Sequence, residues 1–177
     1  MRMRRPDFDA AVATHGRRVF TLALYLLADQ EEAEDVTQEV LIRFWRRGHE
    51  VAPERIGGWL ARVTKNACFD EMRKSRRRSG NTESISDSVN LEPQDSAADP
   101  ERLAGMSQLG GRIVRALGML PEAQRCVVIL REIQGLSYRE ISQALDISES
   151  NVRVTLHRGR RRLREELREV HDHVAAC

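Results

Sequence analysis

The chain has 177 residues, 32% of them charged and 5% aromatic, and its formal net charge is only +2. That length holds one ordinary domain or two small helical ones, each with a modest core, and a hydrophobic share of 41% excludes a disordered chain. No apolar run approaches the roughly 20 residues of a bilayer span, and the basic start MRMRRP meets Asp7 and Asp9 instead of an apolar stretch, so neither membrane insertion nor a secretory signal is expected and the expected location is the cytoplasm.

Residues 19–28 are largely apolar, and Val36, Val40, Leu41, Phe44 and Trp45 recur at the spacing of an amphipathic helix. Two antiparallel helices fit this pattern. The acidic run 29–35 lies between them, at the start of the second helix, where carboxylates suit the positive end of the helix dipole. Pro53 and a Gly pair mark 49–58 as a loop. Helical spacing resumes from Trp59 through Leu60, Val63 and Ala67 and ends in the basic stretch 73–78. Residues 1–78 therefore read as a first helical domain.

Residues 79–101 carry six acidic side chains, no basic one and two prolines among many Ser and Asn. Such a segment buries too little apolar surface to offset its ordering entropy, so 79–108 reads as a flexible acidic linker. A second helical domain is expected over 109–177, giving an all-α protein of two small helical domains. Ile113, Val114, Leu117 and Leu120 form one stripe, and Pro121 suits the first turn of the next helix, with Cys126, Ile129, Leu130 and Ile133 inward. Gly135 stops that helix. Ser137 and Glu140 make a capping box for a short helix through Leu145, and the hydroxyl of Ser148 can cap a longer one with Val152, Leu156, Leu163 and Leu167 on one face. The three cysteines, Cys68, Cys126 and Cys177, are odd in number and far apart. They fit neither a disulfide framework nor a zinc site, and two of them are expected in cores.

A short capped helix, a turn of about three residues and a second helix over 137–162 is the layout of a helix-turn-helix, which sets a helix N-terminus in the major groove. With the apolar stripe inward, the opposite face carries Asn151, Arg153, Val154, His157, Arg158 and Arg161, with Ser150 beside them. Arg can read guanine O6 and N7, Asn can pair with adenine, and the remaining arginines neutralise phosphates. A solvated Arg-rich surface helix is the alternative, and the capped helix before it argues for DNA.

LPEAQR (120–125) followed by VVILREIQGLSYREI (127–141) resembles region 4 of the extracytoplasmic-function sigma factors. EDVTQEVLIRFW (34–45) is similar to their region 2.2, and GWLARVTKNACFDEMR (58–73) to their regions 2.3 and 2.4. The resemblance implies that 1–78 is a region 2 bundle binding core polymerase and the −10 element, and that 109–177 is a region 4 unit binding the −35 element. It implies that Asp35, Gln38, Glu39, Ile42 and Arg43 dock on the β′ coiled coil, with Phe44 and Trp45 supporting the helix from within. It likewise assigns Trp59, Arg62, Lys65, Asn66, Asp70, Arg73 and Lys74 to the −10 element, the loop 49–57 to an unstacked base, and region 4 to the β flap and −35 DNA. Trp59 has a competing role as a core aromatic. The linker's acidity would complement polymerase channels that hold polyanions. An anti-sigma protein is a further implied partner; no cofactor, metal or small-molecule substrate is implied.

Departures from the family pattern are Asp146 at a turn position usually occupied by Gly, Ser142 where Ala is usual, and a short N-terminus that predicts an abbreviated first helix from near Asp7. A free-standing helix-turn-helix repressor or activator would explain the second domain but not the first. An enzyme is not expected, because His15, His49, His157, His171 and His173 show no catalytic spacing.

Overall fold

The computed structural model describes residues 4–78 and 107–175. The acidic linker falls almost wholly outside them, as do Cys177 and the side chains of His171 and His173. Every regular element among the described residues is helical. Helix α1, Arg5–Leu27, runs for 23 residues and is not abbreviated: its first turns are anchored by Phe8, which meets Trp45 edge-on at 5.0 Å and stacks on Phe44 at 6.2 Å. It ends at Ala28, left-handed at φ 56, whose N–H returns to the Leu24 carbonyl. The next residue, Asp29, caps α2, Gln30–Arg47, by accepting from the Glu32 N–H at 3.0 Å. Glu31 and Glu32 then fill its first turn and Arg46 and Arg47 its last, matching the dipole at both ends.

Two short 3₁₀ turns, Gly48–Glu50 and Pro53–Arg55, lead to α3, Ile56–Arg78. The loop is thus shorter than the sequence suggested, because Gly57 and Gly58 lie within the first turn of α3, where glycine sacrifices few helical hydrogen bonds. These three helices pack around Leu22, Leu26, Val40, Phe44 and Leu60, with the half-buried Trp59 against Phe44 at 5.8 Å.

The second unit begins with α4, Gln108–Gly118, capped by the Ser107 hydroxyl. Pro121 is the residue before α5, Glu122–Val128, and not part of its first turn, since its ψ of 143 is extended. Helix α5 continues into a π-helical turn, Ile129–Ile133, which Gly135 terminates at φ 70, a conformation that costs glycine alone nothing. Helix α6, Tyr138–Leu145, carries the expected capping box in both directions, and Asp146 takes the left-handed turn at φ 58. The Ser148 hydroxyl then accepts from the Asn151 N–H at the start of α7, Glu149–Ala175.

Ile113, Ile133 and Leu167, expected inward, are 36%, 39% and 43% exposed; the stripes they belong to are wider than the surfaces that cover them. Cys68 and Cys126 are buried as expected. Burial pushes both thiols up, Cys126 to about 12, so they remain neutral.

The capping box makes a measurable pH signature. The Ser137 hydroxyl, then the Ser137 N–H, hold the Glu140 carboxyl below its ordinary value of 4.5. A depressed carboxylate contributes stability that is complete above the ordinary value and is lost as pH falls through the folded one. Urea unfolding of Ser137→Ala is expected to show a loss of about 1 kcal/mol at pH 7. At pH 3 the same comparison should show a smaller gap.

One core runs through both units, from Val19 and Leu60 to Leu130 and Ile141. Arg125, 6% exposed, crosses between them: it donates to the Leu26 carbonyl at 2.9 Å, at the end of α1, and to the carbonyls of Gly118 and Leu120 in its own unit. Arg18 and Gln134 exchange side-chain to carbonyl bonds at 2.9 and 2.8 Å. Arg76 pairs with Glu122, both largely buried.

Candidate polymerase and DNA surfaces

On α2, burial of Ala33, Val36, Val40 and Phe44 leaves the opposite face to solvent. Asp35, Gln38, Glu39, Ile42 and Arg43 all lie exposed there, one or two per turn. Ile42 is 43% exposed, an apolar centre ringed by polar groups, and Arg43 donates to Glu39 at 2.5 Å, which holds both side chains along the helix. Phe44 is fully buried and Trp45 half-buried, so they brace this face from behind. A polar groove lined by Glu39, Arg43, Asp70, Arg73, Lys74 and Arg77 continues from α2 onto α3.

Along α3, Arg62, Asn66, Asp70 and Arg73 are exposed at steps of three or four residues, which aligns them on one face. Thr64 secures the buried side by donating to the Leu60 carbonyl at 2.7 Å. Lys65 is half-buried, with its ammonium 5.5 Å from the Phe69 ring centre. Arg73 pairs with Asp70, and Lys74 donates to Glu71 at 2.9 Å, an interaction that raises the pKa of its ammonium. Trp59, three residues before Arg62 and so on the same side of the helix, is half-buried and rests against Phe44 at 5.8 Å. Arg62 reaches the other unit, 3.8 Å from Asp146.

On α7, Ser150, Asn151, Arg153, Val154, His157, Arg158 and Arg161 are all exposed, while Val152 and Leu156 are buried beneath them. The side chains are not equally free. Arg153 lies over the Tyr138 ring at 5.6 Å and 3.7 Å from Glu149, a position turned towards α6 and suited to a phosphate. Asn151 accepts from the Thr155 hydroxyl at 3.2 Å, and Arg161 is 3.7 Å from Glu165. Arg158 makes no ion pair among the described residues and is exposed at the middle of the face. Arg160 instead turns back to Glu132, at 2.5 and 3.0 Å, and ties α7 to the turn after α5.

Sequence reasoning missed Tyr138 and Arg131. Arg131 lies 5.1 Å from the centre of the Tyr138 ring and donates to the Leu136 carbonyl, so two arginines from different elements flank one aromatic. The available signal was an aromatic at the first position of a capped helix; Tyr138 is half-buried, with one side packed against the core. Among the described residues no group of His, Cys, Asp or Glu is placed to hold a metal, and no helix is long and apolar enough to cross a membrane.

Comparison with known proteins matches both units in order. Residues 11–78 match the family described as sigma-70 region 2, and residues 110–163 match sigma-70, region 4. The chain is 38% identical to the ECF RNA polymerase sigma factor SigE of Mycolicibacterium smegmatis over 92% of its length, spanning 62% of that relative. It is 32% identical to SigL of Mycobacterium tuberculosis and 30% identical to SigX of Bacillus subtilis, covering 86% and 83% of them and 88% and 90% of itself. In fold it is similar to a chain of the co-crystal structure of the sigma factor RpoE with the anti-sigma factor NepR from Bartonella quintana, at a TM-score of 0.72 and 24% identity, covering 92% of this chain and 97% of that one. With two region matches in the family's order and relatives above 30% identity covered over most of their length, the chain belongs to the extracytoplasmic-function sigma factors of the sigma-70 family.

Proposed function

We propose that the chain carries core RNA polymerase to promoters and helps to open them, acting by binding and not by catalysis. Residues 1–78 form the polymerase and −10 unit, 109–177 the −35 unit, and 79–108 the linker between them. In this reading the α2 face of Asp35, Gln38, Glu39, Ile42 and Arg43 docks on the β′ coiled coil. The α3 face of Arg62, Lys65, Asn66, Asp70, Arg73 and Lys74 holds the −10 strand, its cations on phosphates and Asn66 on an unpaired base edge. Trp59, half-buried against Phe44, stands at the head of that face and belongs to the same −10 set. The N-terminal half of α7 enters the major groove at −35, with region 4 also meeting the β flap. An anti-sigma protein is the expected inhibitor, and the cytoplasm the expected location.

The observation that carries the proposal is that three separate helix faces hold the three residue sets, exposed except for the half-buried Lys65, while the opposite sides of the same helices make the core. Run-off transcription with purified core polymerase and a promoter library tests it. Arg158→Ala is expected to weaken −35 recognition by about 1 to 3 kcal/mol. Asn66→Ala should impair opening more than duplex binding. A chain that does not associate with core enzyme at low salt, without inhibitor, would be a free-standing repressor or activator instead.

A further inference from the structure

Val154 is an apolar side chain left 48% exposed in the second turn of α7. The residues three and four positions from it, Ser150, Asn151, His157 and Arg158, are all polar and exposed. Leu109 and Ile113, also exposed, continue on α4 a stripe that ends in the buried Leu117, and so form the margin of a core. Val154 continues no such stripe. At about 100° per residue, the buried Val152 and Leu156, two positions to either side, point one way, so Val154 points directly the other way. It is the outward ridge of the helix.

A helix that enters the major groove brings the N-terminal part of that ridge nearest the base edges. Its polar neighbours are partly committed elsewhere. Arg153, about 100° to one side, lies over the Tyr138 ring at 5.6 Å and 3.7 Å from Glu149, and Asn151 accepts from the Thr155 hydroxyl at 3.2 Å. Valine offers no hydrogen bond, so against donors and acceptors of the base edges it would displace water and return nothing. The groove presents one apolar group that it can meet favourably, the C5-methyl of thymine. The branched side chain is held near one rotamer in a helix, so it loses little freedom on contact. Arg158 follows one turn later, about 6 Å along the axis, which is under two base-pair steps of about 3.4 Å.

We propose that Val154 is a specificity determinant that reads the 5-methyl group of a thymine in the −35 element, next to the base read by Arg158. This deepens the −35 reading of α7 given above and rests on it. The chemistry also sets what is refused. Deoxyuridine has the hydrogen-bonding edge of thymine without the methyl, and cytosine presents an amino group in its place. A cytosine methylated at C5 carries the methyl at the same position and is recognised in part.

The test uses holoenzyme assembled from core polymerase and the full chain, on a promoter that it transcribes from the library. Deoxyuridine replaces each −35 thymine in turn, on either strand, which removes one methyl and leaves every hydrogen bond in place. Binding is read by competition in gel shifts. At one thymine the wild-type affinity is expected to fall about 4-fold, the effect of one buried methyl. Holoenzyme carrying Val154→Ala should bind thymine and deoxyuridine promoters alike; alanine at an exposed helical site favours the helix, so the variant retains its fold. With a C·G pair at that position, 5-methylcytosine should bind the wild type about 4-fold better than cytosine. A −35 element without an A·T pair, no deoxyuridine position that weakens binding, discrimination that persists in Val154→Ala, or equal binding of the two cytosines overturns the methyl reading, even where transcription is normal. Transcription from no promoter, or transcription indifferent to the −35 element, overturns instead the reading of α7 on which this inference rests, and the inference falls with it.

Discussion

Phe44→Ala is expected to remove about 3–5 kcal/mol of stability, which is a large part of what a helical unit of this size possesses. Phe44 has no exposed surface and stands where three aromatics converge: Phe8 stacks on it at 6.2 Å from α1, and Trp59 tilts against it at 5.8 Å from α3. Truncation to Ala leaves a void that Phe8 and Trp59 cannot fill together, because Phe8 is also held edge-on by Trp45 at 5.0 Å. The lost apolar contact and the cavity therefore add. Urea unfolding should show the midpoint of the chain falling well below that of the wild type, because one core runs through both units. Phe44→Leu, which retains most of the volume, should restore more than half of the difference. A functional consequence follows, since the outward residues Glu39, Ile42 and Arg43 sit on the same two turns and need a straight, braced α2 to present one surface. A stability loss of less than about 1 kcal/mol would mean that the aromatic cluster is not the support of the exposed α2 face proposed to dock on polymerase.

How much of this could be read in advance depended on how local the determinants are. The capping box at Ser137 and Glu140, the stop at Gly135 and the left-handed Asp146 were legible because each is settled within a few residues by backbone geometry and one hydrogen bond. The solvent-facing sides of α2 and α7 were legible for a related reason: apolar periodicity on these helices fixes which side is buried and so which is left exposed. The same periodicity could not say how far the burial extends, and it overstated Ile113, Ile133 and Leu167, whose stripes run past the edge of their neighbours. The Gly pair at 57 and 58 misled by looking like a breaker, although in the first turn of a helix it breaks little. The contact between units left no trace in the sequence. Arg125 and Leu26 are 99 residues apart, and Arg18 and Gln134 are 116 apart, with no pattern linking them. Even the buried Arg125, inside the recognised LPEAQR motif, reads as one more surface cation until its acceptors are known.

Gly159→Leu should cost about 1–3 kcal/mol of stability and reduce duplex binding at the −35 element more sharply than its stability loss predicts. Gly159 lies on the buried side of α7, where a Cβ would stand 2.8 Å from the Val128 Cγ2, 3.4 Å from the Gln124 Cβ and 3.5 Å from the Gln124 carbonyl oxygen. Val128 is buried and branched, so it cannot swing aside, and the carbonyl belongs to the backbone of α5. A larger residue must push α7 away from α5. That displacement moves Arg158, its neighbour on the outward face, relative to Arg153, which is held to Tyr138 on α6. Base and phosphate contacts would then no longer fit one duplex. Removing a helical glycine carries a favourable contribution of about 0.5–1 kcal/mol, so Gly159→Ala should be nearly neutral to mildly destabilising. Gly111 separates the two effects: it lies inside α4 with open space where its Cβ would be, and Gly111→Ala should stabilise by about 0.5–1 kcal/mol without altering DNA binding. Unfolding midpoints and gel-shift titrations on one −35 duplex give both comparisons. Stabilisation by Gly159→Leu equal to that of Gly111→Ala would show that α7 is not seated on α5 through this contact.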